Sequence, residues 1–224
     1  TNICLVAGRL DSIEYMVSQF QICEKALTQY LEVKRKRFPR FYFVSSADLL
    51  DILAKASVSP FLILRHLSKC FDNVQSLSFQ KNAEGVNTTN AIVMISKENE
   101  EVNLHEPFPC EGAVEDWLLA LVDCMRQSLK VILKLANRTP TRGIDDFVLN
   151  FCAQISILAY QILWSSEVET AFDKLEQGKE NAMQQALHQV EGRLAALTES
   201  TQRDLSAGDR SKIVTLITME VHSR

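Results

Sequence analysis

The 224 residues carry 46% hydrophobic and 23% charged side chains, enough to bury a sizeable core in one large domain or two small ones and too apolar for a disordered chain. Lys and Arg number 24 against 28 Asp and Glu, and the net charge of −4 argues against general nucleic-acid binding, which needs a strongly basic face. Only seven glycines and five prolines interrupt the chain, and the apolar residues between them recur mostly at helical spacing, so helix should dominate.

The first expected element is a rod. Ile3, Val6, Leu10, Ile13, Val17, Phe20, Leu27 and Leu31 follow three-four spacing, broken only by Glu24. About 30 residues predict a helix roughly 45 Å long, and the pattern suits packing inside the fold and packing against another chain equally. Lys34, Arg35, Lys36 and Arg37 close it ahead of Pro39, where positive side chains suit the negative end of a helix better than they suggest a nucleic-acid patch. Phe41, Tyr42, Phe43 and Val44 read as a short β-prone run. Ser45, Ser46 and Asp48 have capping-box spacing ahead of Leu49, Leu50, Ile52 and Leu53, and Ser59-Pro60 signals a further helix start leading to Leu64, Leu67 and Phe71.

A loop rich in Asn, Thr and Gly over 82–90 comes next. Ala91, Ile92, Val93, Met94 and Ile95, a polar tip of Lys97, Glu98, Asn99 and Glu100, and the alternating Val102 and Leu104 then predict a β-hairpin with an acidic end, the one sheet expected. Helical spacing returns at Val114, Trp117, Leu121, Met125, Ile132 and Leu135, with Thr139-Pro140 and Gly143 as its end.

Residues 147–164 hold 14 apolar side chains out of 18 and no charge, which raises a membrane span. On a helical wheel, however, Asn150, Gln154 and Gln161 fall within about 40° of one another, with Asp146 and Ser165 on the flanks. A lipid-facing helix would not keep that stripe, so a buried helix of a soluble bundle is expected. Met183, Leu187, Val190, Leu194 and Leu197 continue the pattern, Ser206 and Asp209 offer another capping box, and Ile213, Leu216, Ile217 and Val221 predict a last helix. Ile3 already sits in a helical pattern and nothing closes the last helix before Arg224, so the chain is expected to be a piece of a longer polypeptide.

No catalytic, cofactor-binding or metal-ligating residues are expected. Cys4, Cys23, Cys70, Cys110, Cys124 and Cys152 show no zinc or redox spacing and mostly sit among apolar residues, the pattern of reduced thiols in an intracellular protein. His66, His105, His188 and His222 have no metal-like spacing, and Gly178-Lys179 lacks the rest of a phosphate-binding loop. Glu115-Asp116 and Asp145-Asp146 are adjacent pairs, better suited to surface or helix-dipole roles than to acid/base work. Phe41, Tyr42, Phe43, Trp117 and Trp164 are expected as core anchors.

The run from Tyr30 through Arg37-Phe38-Pro39-Arg40 to Val44, with Asp48-Leu49-Leu50-Asp51-Ile52-Leu53 behind it, resembles the linker region of dynein heavy chains. The resemblance continues in order through His66-Leu67, Cys70-Phe71-Asp72, Leu77 and Phe79, Val114-Glu115 with Trp117-Leu118, Gln161-Ile162 with Trp164, Asp209-Arg210 with Lys212-Ile213, and Val221-His222 with Arg224. It covers essentially the whole chain, and its Cys-Phe-Asp and Val-Glu-x-Trp-Leu forms are closer to axonemal than to cytoplasmic dyneins. The resemblance implies the later part of a helical arm, lying across a ring of AAA-type ATPase modules and ending before the first module. Such an arm would transmit the ring's ATP-driven changes to the tail.

The expected partner is then the AAA ring of the same heavy chain, with the microtubule reached only indirectly and neither nucleic acid nor membrane bound. The expected location is the cytoplasm and cytoskeleton, in a ciliary axoneme. The expected fold is mainly α, an elongated helical bundle with one small β-hairpin. Residues 1–106 would form a linker part with the long helix and hairpin, and 107–224 a bundle leading to the ring, though the two could be one continuous domain. Glu98, Asn99 and Glu100 are candidates for touching the ring. The alternative is an unrelated α-helical adaptor that presents its rod or hairpin to partner proteins.

Overall fold

The computed structural model describes residues 8–56, 58–138 and 148–223. Ile3, Cys4, Val6, Thr139, Pro140, Gly143, Asp145, Asp146 and Phe147 lie outside the described residues.

The rod is present as α1 (Arg9–Arg37). Among the described residues nothing covers its first two thirds: Phe20 is 73% exposed, Leu10, Ile13, Val17 and Leu27 also face outward, and Leu31 is its first buried side chain. The β-prone run at Phe41 is instead a 3-10 turn, Pro39–Phe43. Proline pre-sets the helical φ at the start of a turn, and Phe38 and Phe41, three apart, then point the same way and pack edge to face with ring centroids 4.9 Å apart. A strand would have buried alternate rings; the turn buries Phe38 and Phe41 and leaves Tyr42 and Phe43, the two after them, facing outward.

Ser45 caps α2 (Ser46–Ala56), its hydroxyl oxygen accepting from the Asp48 N–H at 3.2 Å. Ser59 opens a second 3-10 turn, Pro60–Ile63, that runs into α3 (Leu64–Cys70). Three antiparallel strands follow in the order β1 (Val74–Lys81), β2 (Asn87–Ser96) and β3 (Glu101–Pro109). The expected hairpin is β2 with β3, and β1 is an additional strand, with Leu77 opposite Met94 and Met94 opposite Val102. The turn between β1 and β2 is closed by the Asn82 side-chain oxygen, which accepts from the Glu84 and Val86 N–H groups at 3.0 and 2.9 Å around Gly85 at φ 79°.

Four longer helices follow, α4 (Val114–Asn137), α5 (Ala153–Glu176), α6 (Ala182–Ser200) and α7 (Ala207–His222), with a short helical stretch at 148–150 ahead of α5. The architecture is mainly α with a small antiparallel sheet. The main core runs from Leu31 to Cys124 and joins the end of α1, α2, α3, one face of the sheet and the first half of α4. A second core holds Val148, Tyr160, Leu197, Ile213 and Leu216, and a seam of Ala136, Ile155 and Ala159, packed against Leu129, Ile132 and Leu133, joins α4 to α5.

The apolar run over 147–164 is not one helix. Residues 148–150 are helical, the backbone bends at Phe151, and α5 begins at Ala153. Asn150, Gln154 and Gln161 nevertheless all face outward, while Ile155, Ser156, Ala159 and Tyr160 are buried, so this is a helix buried on one side rather than all round. No helix among the described residues is long and apolar enough to cross a membrane.

Candidate functional site: polar interlocks between packed elements

The charged side chains that sequence reading leaves on the surface are used to join elements distant in sequence. The first interlock ties the end of α1 to the start of α4. Lys34 Nζ donates to Glu115, and Arg37 Nε donates to the Asp116 carboxylate, so the basic C-terminal turn of one helix meets the acidic N-terminal turn of another. Each charge also complements the dipole of the helix that carries it. The Glu115 hydrogen bond, with its charge added, outweighs the burial that pulls the Lys34 amine down, so its pKa rises. Arg35 reaches Ser46 at 3.1 Å and adds α2 to the joint.

A second interlock holds α2 to α3. His66, buried on α3, meets Asp51 through Nε2 at 2.9 Å, and Lys69 meets Asp48 at 2.8 Å. A third fixes β3 on α4, where the His105 N–H donates to Ser128 Oγ at 3.0 Å and that fully buried hydroxyl donates to the Cys124 carbonyl at 2.7 Å. Inside the C-terminal helices, Arg193 of α6 binds Glu167 of α5 and Glu220 of α7, the latter at 3.0 Å, and lies over the Tyr160 ring at 5.6 Å.

A further interlock starts from the hairpin tip. The Ser96 hydroxyl accepts from the Glu98 and Glu100 N–H groups at 3.2 and 3.0 Å, and Asn99 takes the left-handed conformation at φ 62° that Asn tolerates better than most residues. The tip so formed aims Glu100 inward. Its carboxylate accepts from the Ala153 N–H at 3.1 Å and pairs with Lys212 Nζ of α7 at 2.8 Å. Lys212 also donates to the Phe151 carbonyl at 3.2 Å and to Asp209 at 3.3 Å. These partners satisfy the amide and the carbonyl that are left outside a helix at the bend in the apolar run.

The anchors named from sequence divide. Phe41 and Trp117 lie in the main core. Tyr42 and Phe43 are not core anchors: they are 54% and 80% exposed, thrown outward by the 3-10 turn, and the Tyr42 hydroxyl donates to Glu32. Trp164 is only partly buried and lines a groove of about 460 Å³ between α5 and α7 with Tyr160, Met219 and His222. Of the acidic tip, Glu98 and Asn99 are exposed and Glu100 is engaged within the chain. Sequence reading missed Glu100, Lys212 and Arg193 as joints, because nothing local distinguishes a paired surface charge from a solvated one.

Among the described residues no group of three or more His, Cys, Asp or Glu is arranged to hold a metal ion. Cys23, Cys70, Cys110, Cys124 and Cys152 are free thiols. Burial pushes Cys70 up to about 11 and Cys110 up to about 12, which keeps both protonated and unreactive at neutral pH. What the arrangement can do is resist relative movement of helices and sheet.

A family model described as dynein heavy chain, N-terminal region 2, matches residues 1–136. The chain is 44% identical to the dynein beta chain of the flagellar outer arm of Chlamydomonas reinhardtii, 39% to the ciliary dynein beta chain of Tripneustes gratilla and 38% to human dynein axonemal heavy chain 9. These alignments cover 97–100% of the chain and 5% of each relative. The chain belongs to the dynein heavy chain family, matching its N-terminal region and its axonemal members. It spans about one twentieth of the length of these relatives.

Proposed function

We propose that the chain is a non-catalytic mechanical segment of an axonemal dynein heavy chain, a linker or lever that carries ATP-driven changes of an AAA-type ring to the tail in microtubule-based motility. It would work in the axoneme, part of the cytoskeleton, with the ring of the same heavy chain as its direct partner and the microtubule reached only through the rest of the motor. The observation that carries this reading is the run of interlocks from α1 to α7: a lever needs elements that move together, and ion pairs tie α1 to α4, α2 to α3, the hairpin tip to α7 and α6 to α7, while hydrogen bonds join β3 to α4 and an apolar seam joins α4 to α5. Two packing units divide the work, one built around the sheet and one around α5, α6 and α7, with α4 reaching into both. Glu98 and Asn99, exposed at the hairpin tip, remain the candidates for touching the ring.

The test is a heavy chain carrying Lys34→Glu and Arg37→Glu, which sets like charges against Glu115 and Asp116. Gliding velocity should fall severalfold with most ATPase activity retained, and adding Glu115→Lys and Asp116→Arg should restore it. The exposed apolar side of α1 favours the second reading, an adaptor that docks partners on the rod. An adaptor would glide normally with the α1–α4 joint reversed.

A further inference from the structure

We infer that Glu100 is a positioning residue whose carboxylate sets the orientation of the C-terminal helices relative to the sheet. Two contacts among the described residues join the packing units. One is the apolar seam in which Leu129, Ile132 and Ala136 of α4 face Ile155 and Ala159 of α5. Two helices in contact along a line can still roll or slide past one another, because apolar packing has little directional preference. The other is Glu100, which reaches both the first amide of α5 and Lys212 of α7. That contact is directional, and it includes α7, which the seam does not.

Three features mark it as built for this purpose. Cys152, at the N-cap position of α5, makes no side-chain cap hydrogen bond, and the carboxylate brought from 53 residues away accepts from the first amide of the helix, where a negative charge suits its dipole. The tip that presents Glu100 is fixed by the Ser96 hydroxyl and by the left-handed Asn99. Lys212 is itself held by Asp209 and the Phe151 carbonyl, so both halves of the pair are pre-oriented. Burial pulls the Lys212 amine down, but the bond and charge of Glu100, followed by those of Asp209, outweigh it and raise its pKa, so the amine stays charged at neutral pH.

The geometry is tested on this chain, with spin labels carried by non-natural amino acids at Glu84 in the β1–β2 turn and Glu199 near the end of α6, both exposed. The parent should give one narrow distance distribution. Glu100→Ala and Lys212→Met should broaden it or shift its mean by about 2 Å or more, the scale on which packed elements rearrange. Glu100→Gln should lie between, since its amide oxygen still accepts from Ala153 but no longer neutralises Lys212. Circular dichroism checks that helix content is kept, and if Glu100→Ala loses it, Glu100→Gln and Lys212→Met carry the test. Distributions identical to the parent in those two variants would overturn the inference. The consequence for motility rests on the lever reading and is read separately: Glu100→Gln in the heavy chain should slow gliding at least about twofold with ATPase activity kept. An altered distance with normal gliding would overturn the lever and leave the positioning role standing.

Discussion

Arg193→Ala is a substitution that the C-terminal helices should tolerate poorly. Glu220 is 1% exposed, and Arg193 is the cation paired with it. Truncating the arginine leaves a carboxylate buried without its counter-charge, a change that typically costs about 3–5 kcal/mol, and also removes a guanidinium stacked over Tyr160. With a urea m-value of about 2–3 kcal/mol/M, the unfolding midpoint of this unit should drop by roughly 1–2 M. Removing both charges is a different perturbation. Arg193→Met with Glu220→Met fills similar space with apolar atoms and leaves no buried ion, so it should fall within about 1 kcal/mol of the parent. Glu167, the more exposed partner, can return to water. Urea unfolding followed by circular dichroism at neutral pH measures all three proteins. An Arg193→Ala midpoint within about 0.3 M of the parent, or a double variant as damaged as the single one, would show that the ion triad does not hold these helices together.

Two further outcomes follow from the same contacts. Gln154→Leu should change stability by less than about 0.5 kcal/mol because Gln154 faces outward, whereas Ile155→Asp should unfold the C-terminal unit by placing a charge in the α4–α5 seam; equal thermal midpoints would put the faces of α5 the other way round. Asp48, through the Lys69 and Ser45 hydrogen bonds, and Asp209, through those of Ser206 and Lys212, have carboxyls held below the usual range. The stability they contribute is therefore present above the unfolded value of about 3.9 and lost as pH falls through the folded values, and Asp209→Asn should flatten the decline in urea midpoint below about pH 4.

Much of the fold is legible in the sequence where the signal is local. The three-four spacing of α1, the Ser45 and Ser206 boxes, Ser59-Pro60 and the β2–β3 hairpin all appear where the residues predict them. The failures have tertiary causes. Phe41, Tyr42 and Phe43 have high β-propensity, but Pro39 and the packing of Phe38 on Phe41 favour a 3-10 turn. Strand β1 shows as the alternation of Leu77 and Phe79 with Ser76, Ser78 and Gln80, a pattern shorter and weaker than the hairpin signal beside it. The break before α5 could not be read locally, because the side chains that bind the Ala153 amide and the Phe151 carbonyl there, Glu100 and Lys212, lie 53 and 61 residues away. The joints share that difficulty: Lys34 and Glu115 are 81 residues apart, and composition alone cannot pair them.

The central claim is that force passes through this chain, and the measurement that reaches it most directly is made where the chain leaves α7. A flexible Gly/Ser spacer of roughly eight residues inserted after Arg224 in the heavy chain would wander over roughly 15 Å. Packed elements pass on changes as shifts of about 1–2 Å or as one-turn steps of about 5.4 Å, so such a spacer is looser than the signal it must carry. Microtubule gliding velocity and ATPase rate, measured on the same preparation, should separate: most of the velocity lost, most of the ATPase kept. Gliding at the parent velocity through that spacer would contradict the account.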